Sequence, residues 1–383
     1  MRKLFLFCLA PLIFSCGGTS SEKAESGNIL ENLTFTVDTV IVDSGEDIFI
    51  LNAGLGAKEL NADKSTLMFF ERDPLQLVEV DLDQLRLIRK TPFQKEGPDG
   101  VGPYLLGFQV GSAGEMFIQG FSTQAIFSKE GKITESLNVI PNGIVPDLAN
   151  DFSNLYQRVL YDFSRNRIYT QPSFEVLQKN ELYLIDPKTK EALIEPIPEM
   201  KSVREFSGTL ITTSGETKMF RYYGPGSFMA IENGQLLITS GAMSGIYWLN
   251  SETDSLNYVP IQHRNFPNRM DVTVANLPTD ENQFFEDRRK VYAQLNYMEP
   301  RWDETRKMYL RLGKRTFLGE NEGDPPTFEV FLFAYDKDFN VLGETKIEGL
   351  KQVPGNYFWK DGKLWSYVNV ADELGFAVMD FEF

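Results

Sequence analysis

The feature that most constrains this chain is a β-hairpin pattern that occurs six times along it. Each copy has an apolar strand that follows a polar turn, then a loop, then a second apolar strand, which in five of the six copies ends at an Asp or Asn. Runs of about four to eight apolar residues between turn signals are typical of buried β-strands. The paired strands are residues 67–70 with 76–81, 115–118 with 124–127, 167–169 with 181–186, 235–238 with 245–250, 307–310 with 329–336, and 363–366 with 376–380.

The turns before these strands form two sets. Three of them place a glycine (Gly114, Gly234 or Gly362) where a tight hairpin needs a positive φ. The other three share an Asp-x-Ser/Thr start, at Asp63, Asp162 and Asp303. The six units average about 60 residues each, somewhat above the usual blade length, and regular hairpin repeats of this size indicate a β-propeller.

We therefore predict an all-β fold, a six-bladed β-propeller that occupies residues 30–383. Residues 203–262 are long enough for one more hairpin, so seven blades are an alternative, and a two-domain β-sandwich is the rival architecture. Residues 33–42 form a spare N-terminal strand, which we expect to join the last blade because closure removes exposed sheet edges. Residues 280–293 have acids early and bases late, which predicts a short helix between the fourth and fifth blades.

The start of the chain has the form of a secretory signal. Two basic residues precede an apolar run that is shorter than the about 20 residues needed to span a bilayer. Residues 12–16 resemble a bacterial lipobox, with an aliphatic residue at −3, Ser15 at −1 and Cys16 at +1. We predict that residues 1–15 are a cleaved signal peptide, that Cys16 carries lipid, and that residues 16–29 are a flexible tether.

Further features of the chain are the segment 96–102, the Tyr161–Asp162 unit with Arg165 and Tyr169, and the closing hairpin. Together with the lipobox, they resemble a family of Bacteroidota lipoproteins of unknown function with a six-bladed, TolB-like or NHL-like propeller. The resemblance covers most of residues 30–383. Since that family has no settled activity, the resemblance implies a fold and a location rather than a chemistry.

Charge and composition exclude several classes of function. A net charge of −16 argues against binding to nucleic acid or to anionic lipid. Cys8 lies in the predicted signal, so the mature domain has no thiol for a disulfide, a zinc site or a nucleophile. Its single histidine, His263, excludes a multi-histidine metal site, and without a Gly-x-Ser-x-Gly elbow we interpret it as a surface loop residue. We predict no metal and no cofactor.

The candidate binding residues follow from where the loops of a propeller open. Loops that enter the first strands, and loops between the second and third strands, lie on one face, which we call the loop face. Arg side chains that converge with aromatic rings there would suit an anionic or sugar-like ligand. The candidates on or near this face are Arg72, Asp99, Tyr104, Arg204, His263 and Arg264, with Tyr297 and Trp359 toward the channel end of the first strands.

We expect a lipoprotein anchored through Cys16 that binds a glycan, a peptide or an envelope protein without catalysis. The alternative is a hydrolase or lyase that uses carboxylates and Arg at the loop face on an envelope or extracellular polymer. A purely scaffolding role is the third hypothesis. For the location we expect the outer membrane. The neutral stretch 17–21 before Glu22 favours its periplasmic side, with surface exposure as the alternative.

Overall fold

The repeated hairpins are the two central strands of six four-stranded antiparallel sheets arranged as the blades of a propeller. A computed structural model describes residues 27–52, 54–120, 123–137, 159–171, 180–250, 253–321 and 323–383. The predicted signal peptide 1–15, the lipid-bearing Cys16 and most of the predicted tether lie outside the described residues. Within them, no helix has the length and apolar composition needed to cross a membrane.

The strands follow one another blade by blade from the axis outward. The N-terminal strand is β1 (Thr34–Ile41). Blade 1 contains β2 (Lys58–Leu60), β3 (Thr66–Arg72), β4 (Leu75–Asp81) and β5 (Arg86–Pro92). Blade 2 contains β6 (Leu105–Val110), β7 (Met116–Gly120), β8 (Gln124–Phe127) and β9 (Ile133–Ser136). Blade 3 contains β10 (Val159–Asp162), β11 (Arg167–Thr170), β12 (Glu181–Ile185) and β13 (Ala192–Pro196).

The second half of the chain adds an inserted hairpin and three further blades. A short helix, α1 (Lys201–Glu205), precedes the hairpin of β14 (Gly208–Ser214) and β15 (Thr217–Tyr223). Blade 4 contains β16 (Ser227–Glu232), β17 (Gln235–Ser240), β18 (Ile246–Leu249) and β19 (Leu256–Val259). Helix α2 (Glu281–Tyr292) leads to blade 5, with β20 (Asn296–Asp303), β21 (Met308–Phe317), β22 (Thr327–Tyr335) and β23 (Val341–Lys346). Blade 6 contains β24 (Phe358–Lys360), β25 (Lys363–Val370) and β26 (Glu373–Glu382).

The N-terminal strand closes the ring as predicted. Strand β1 pairs antiparallel with β26 over its full length, from Thr34 opposite Glu382 to Ile41 opposite Gly375. Blade 6 thus takes its outermost strand from the start of the chain and its other three strands from the end. Because β26 would otherwise be an open edge, this pairing links the first and last blades.

Six blades, rather than seven, form the ring. The region considered for a seventh blade does contain an extra hairpin, but among the described strands β14 and β15 pair only with each other. This hairpin packs on α2 instead, with the rings of Tyr223 and Phe284 5.2 Å apart. Helix α2 confirms the prediction for residues 280–293, and Asp280 caps it by accepting a hydrogen bond from the Gln283 N–H at 2.9 Å.

The core is divided among the contacts between blades. Each neighbouring pair of blades has its own buried apolar cluster, and the inserted hairpin and α2 share a seventh. The central strands of a blade are therefore covered on both sides, which explains why the sequence shows continuous apolar runs there rather than alternation. The turns between first and second strands all open on the side opposite the loop face, and we call that side the turn face.

Candidate functional site

A cavity of about 550 Å³ lies on the propeller axis and opens on the turn face. Its wall is built by the first strands of blades 1, 4, 5 and 6 and by the turns that follow them. The lining residues are 58–64, 231–233, 301–305 and 357–361. We call this space the axial cavity. It combines charged side chains with the rings of Trp302 and Tyr357, both of which are half-buried.

Arg301 joins two blades at the wall of the axial cavity. Its Nη1 donates to Glu232 Oε1 at 2.6 Å, and its Nη2 contacts Glu299. The other oxygen of Glu232 accepts a hydrogen bond from the Trp302 backbone N–H at 3.1 Å. Although burial opposes it, the carboxylates of Glu299 and Glu232 raise the pKa of Arg301 above its ordinary value. The guanidinium is therefore always charged, and it is paired with the carboxylates of Glu232 and Glu299.

The remaining charged groups of the wall are mostly held in the same way. Lys360 Nζ lies 2.6 Å from both Asp83 and Asp361, and Lys64 Nζ donates to the Trp302 carbonyl at 3.3 Å. The carboxylates in the lining turns form hydrogen bonds or ion pairs with residues close to them in sequence. Asp63 accepts from Ser65, Asp303 pairs with Arg306, and Glu304 accepts from Trp302 Nε1.

Two neighbouring residues of β2, Lys58 and Glu59, differ from the rest of the wall. Neither side chain forms a hydrogen bond or an ion pair within 4 Å with any of the residues that the structure describes. Both side chains are half-buried, because protein surrounds most of each and the rest faces the open cavity. Burial raises the pKa of Glu59 to about 7, despite the opposing charges of Arg301 and Lys58. Burial, followed by the charge of Arg301, lowers the pKa of Lys58.

Of the residues predicted from the sequence, Trp359 lines the axial cavity. Its ring is buried against Phe381 in the core between blades 5 and 6, with the ring centroids 5.8 Å apart. Asp99 is bound to its own blade, since it pairs with Lys132 at 2.9 Å and accepts from the Ile133 N–H. The structure leaves the others of the loop face exposed and brings none of them into the axial cavity: they are Arg72, Tyr104, Arg204 and Arg264. Ligand binding by these residues stays a prediction.

The interpretation of His263 as a surface residue was wrong, because the side chain is fully buried. Its Nδ1 lies 2.6 Å from Glu344 Oε2, and its Nε2 lies 3.2 Å from the Tyr335 hydroxyl. The ring also stacks on Tyr297, with the centroids 5.6 Å apart. Burial opposes it, but hydrogen bonds from His263 and from nearby backbone N–H groups hold the pKa of Glu344 below its ordinary value. This cluster fastens the segment before α2 to blade 5.

Sequence reasoning did not single out Lys58, Glu59, Glu232 or Arg301. A signal was present, because each of these residues stands near the end of a first strand, just before one of the repeated turns. Charged residues at that position in several units would converge at one mouth of a propeller. The candidates predicted for the loop face belong to the opposite mouth of the propeller.

The fold and the axial cavity define a six-bladed β-propeller with a charged, solvent-open site at one end of its axis. More specifically, the chain belongs to the family of the domain of unknown function DUF4221, whose sequence pattern matches residues 26–346. This confirms the family resemblance and the propeller that it implied. No curated protein matches the chain.

A solved structure of a family member agrees with the fold. The chain is similar to the crystal structure of a DUF4221 family member from Bacteroides vulgatus, with 14% identity and a TM-score of 0.63. That likeness covers 91% of this chain and 98% of the other. A more distant likeness is to a protein of unknown function from Bacteroides thetaiotaomicron, with 11% identity, 91% and 77% of the two chains covered, and a TM-score of 0.41.

Proposed function

We propose that this protein is a binding module of the cell envelope that holds a glycan, a peptide or a segment of an envelope protein in the axial cavity. The observation that carries the proposal is an open cavity whose wall is fixed by ion pairs between blades, led by Arg301 with Glu232. The volume of about 550 Å³ lies in the range of small-molecule sites, about 300–1,000 Å³. A wall fixed before binding loses little side-chain entropy when a ligand enters.

Aromatic rings support a ligand with both polar and apolar surface. Trp302 and Tyr357 are half-buried at the cavity, and each is oriented by a hydrogen bond, from Trp302 Nε1 to Glu304 and from the Tyr357 hydroxyl to the Glu299 carbonyl. Rings held in this way stack on a sugar face or on an apolar side chain while nearby polar groups fix its orientation.

Anchoring through lipid on Cys16 forms part of the proposal, with the periplasmic side of the outer membrane as the expected location. The first described residues are bound to the propeller rim, since Asn28 Nδ2 donates to the Glu344 carbonyl and Asn28 Oδ1 accepts from the Glu344 N–H, both at 2.9 Å. The chain between Cys16 and residue 27 would extend to at most about 40 Å. Such a tether would keep the cavity close to the membrane.

A cavity-filling substitution tests the proposal. Ala62 is an exposed turn residue at the cavity, and Ser112 is its counterpart in the turn of blade 2, outside the cavity. We expect the full chain to bind at least one member of a glycan and peptide array, Ala62→Trp to weaken that binding by at least about tenfold, and Ser112→Trp to leave it unchanged. Equal binding by Ala62→Trp and the parent protein would overturn the proposal.

Glu59 favours a second candidate, a carboxylate-based hydrolase or lyase that acts in the same cavity. A carboxyl group with its pKa raised to about 7, near the carboxylates of Glu232 and Glu299 that pair with Arg301, is the kind of arrangement that acid–base catalysis uses. Catalysis predicts that array members are cleaved on incubation and that Glu59→Gln stops cleavage while binding persists. Ligands recovered intact after long incubation with the parent protein would exclude this candidate for the substrates tested.

A further inference from the structure

We infer that the axial cavity is built to hold a short peptide with free termini, its ammonium at Glu59 and its carboxylate at Lys58. The inference rests on the proposed function of the cavity and names the ligand class. Among the described lining residues, every other carboxylate and cation has a hydrogen bond or an ion pair, as Arg301 and Lys360 have with their carboxylate partners.

The two remaining groups have opposite charges, so a ligand that satisfies both carries one charge of each sign. A neutral sugar offers hydroxyl groups but no charge to compensate either side chain. A single anion would be attracted by Lys58 and repelled by Glu59. A zwitterion meets both groups with a charge-assisted hydrogen bond, which is about twice as strong as a neutral one.

The two side chains leave opposite faces of one strand. Lys58 and Glu59 are consecutive in β2, so their side chains leave the strand on opposite sides, and both line the axial cavity. An extended peptide of two or three residues spans roughly 7–10 Å between its ammonium and its carboxylate. A peptide of this length can place one charge on each side of the strand.

The backbone of β2 favours the same ligand. In the described sheet, β2 hydrogen-bonds to β3 alone, and as the first strand of its blade it turns its other edge toward the axis. An exposed strand edge binds an extended peptide through main-chain hydrogen bonds, while side-chain pockets give selectivity. The main chain of the ligand therefore has hydrogen-bonding partners on the strand that carries Lys58 and Glu59.

The electrostatics of the empty cavity agree with this assignment. Burial disfavours the charged form of both groups, since it raises the pKa of Glu59 and lowers that of Lys58. A bound ammonium would stabilise the Glu59 carboxylate, and a bound carboxylate would stabilise the Lys58 ammonium. Binding then reverses both shifts, so peptide and protein charges reinforce each other within the cavity.

Calorimetry with trialanine and its blocked forms tests the inference on the full chain. We expect trialanine to bind, and N-acetylation or C-terminal amidation each to weaken binding by about ten- to a hundredfold. Glu59→Gln should cause the same loss for trialanine and no further loss for the acetylated form. Lys58→Met should behave in the same way toward the amide. The matched control is the exposed neighbouring pair of blade 2, with Lys129→Met and Glu130→Gln, which should leave binding unchanged.

The outcomes separate this inference from the proposed function. If doubly blocked trialanine bound as tightly as the free peptide, the assignment of the termini would be overturned. If no form of trialanine bound, while a neutral oligosaccharide bound in a manner that Ala62→Trp abolished, the peptide class would be wrong and the cavity would still be the binding site. Failure of Ala62→Trp to affect any ligand would overturn both.

Discussion

At the scale of single residues, the axial cavity is organised by the difference between paired and unpaired charges. Arg301 is held between Glu232 and Glu299, and Lys360 lies between two aspartates, so these groups define the wall. Lys58 and Glu59 lie in the same enclosure without such partners among the described residues. A buried charge without a partner costs stability, and residues of this kind concentrate at binding and catalytic sites. The two side chains of β2 are therefore the strongest candidates for contact with a ligand.

The raised pKa of Glu59 predicts how stability depends on pH. An ordinary glutamate near 4.5 in the unfolded chain and about 7 in the fold means that the folded state binds the proton more tightly. Stability is therefore lost as pH rises from about 4.5 to about 7, and the loss persists above that range. We expect Glu59→Gln to match the parent protein near pH 4 and to exceed its free energy of unfolding at pH 8, by on the order of 1–3 kcal/mol.

Urea denaturation at the two pH values measures this difference. Glu348 is exposed on the rim and has no comparable burial, so Glu348→Gln serves as the control and should change stability little at either pH. A Glu59→Gln variant that was less stable than the parent protein at pH 8 would contradict a carboxylate whose burial outweighs the opposite charges near it.

At the scale of secondary-structure elements, the N-terminal segment has two roles. Strand β1 supplies the outer edge of blade 6, and the residues just before it bind to blade 5. Leu30 is fully buried between these blades, and a Cβ at Gly343 would lie only 2.7 Å from its side chain. The glycine thus permits the close approach of the N-terminal segment, which joins the ends of the chain across two blades.

Truncation of Leu30 tests how much this docking stabilises the ring. We expect Leu30→Ala to lower the free energy of unfolding by about 2–5 kcal/mol, because it removes buried methyl groups and leaves a cavity. Val37 lies in β1 with half its surface exposed, so Val37→Ala should cost less than about 1 kcal/mol. Thermal and urea unfolding provide the comparison, and equal losses for the two variants would mean that the segment contributes only through its strand pairing.

At the scale of the whole molecule, the two faces of the propeller differ in what they carry. The inserted hairpin and helix α2 extend the connections on either side of blade 4, on the loop face, whereas the axial cavity opens on the turn face. The N-terminal segment leaves from the rim between blades 5 and 6. This arrangement leaves the cavity mouth clear of both the insertions and the point where the proposed tether begins.

Lipid anchoring gives a prediction for the intact cell. If Cys16 carries the lipid, Cys16→Ser should move the protein from the membrane fraction to the soluble fraction and abolish incorporation of a labelled fatty acid. Cys8→Ser is a matched control, because Cys8 lies in the segment predicted to be removed, and it should leave both properties unchanged. Membrane retention and labelling of the Cys16→Ser protein would contradict the lipobox interpretation.

The sequence by itself determined the blades, their turns, the closing strand and helix α2. The turns depend on residues close in sequence; in one of them the Asp162 carboxylate accepts a hydrogen bond from the Ser164 N–H. The strands are recognised because burial requires apolar residues along their whole length. The tertiary structure alone decided that the extra hairpin is not a seventh blade, that His263 is buried, and that the cavity opens on the turn face. Arg301 and Glu232 are 69 residues apart, and His263 and Glu344 are 81 apart. Side chains so distant in sequence meet only when the ring closes, so no local pattern could show which charges are paired and which are left for a ligand.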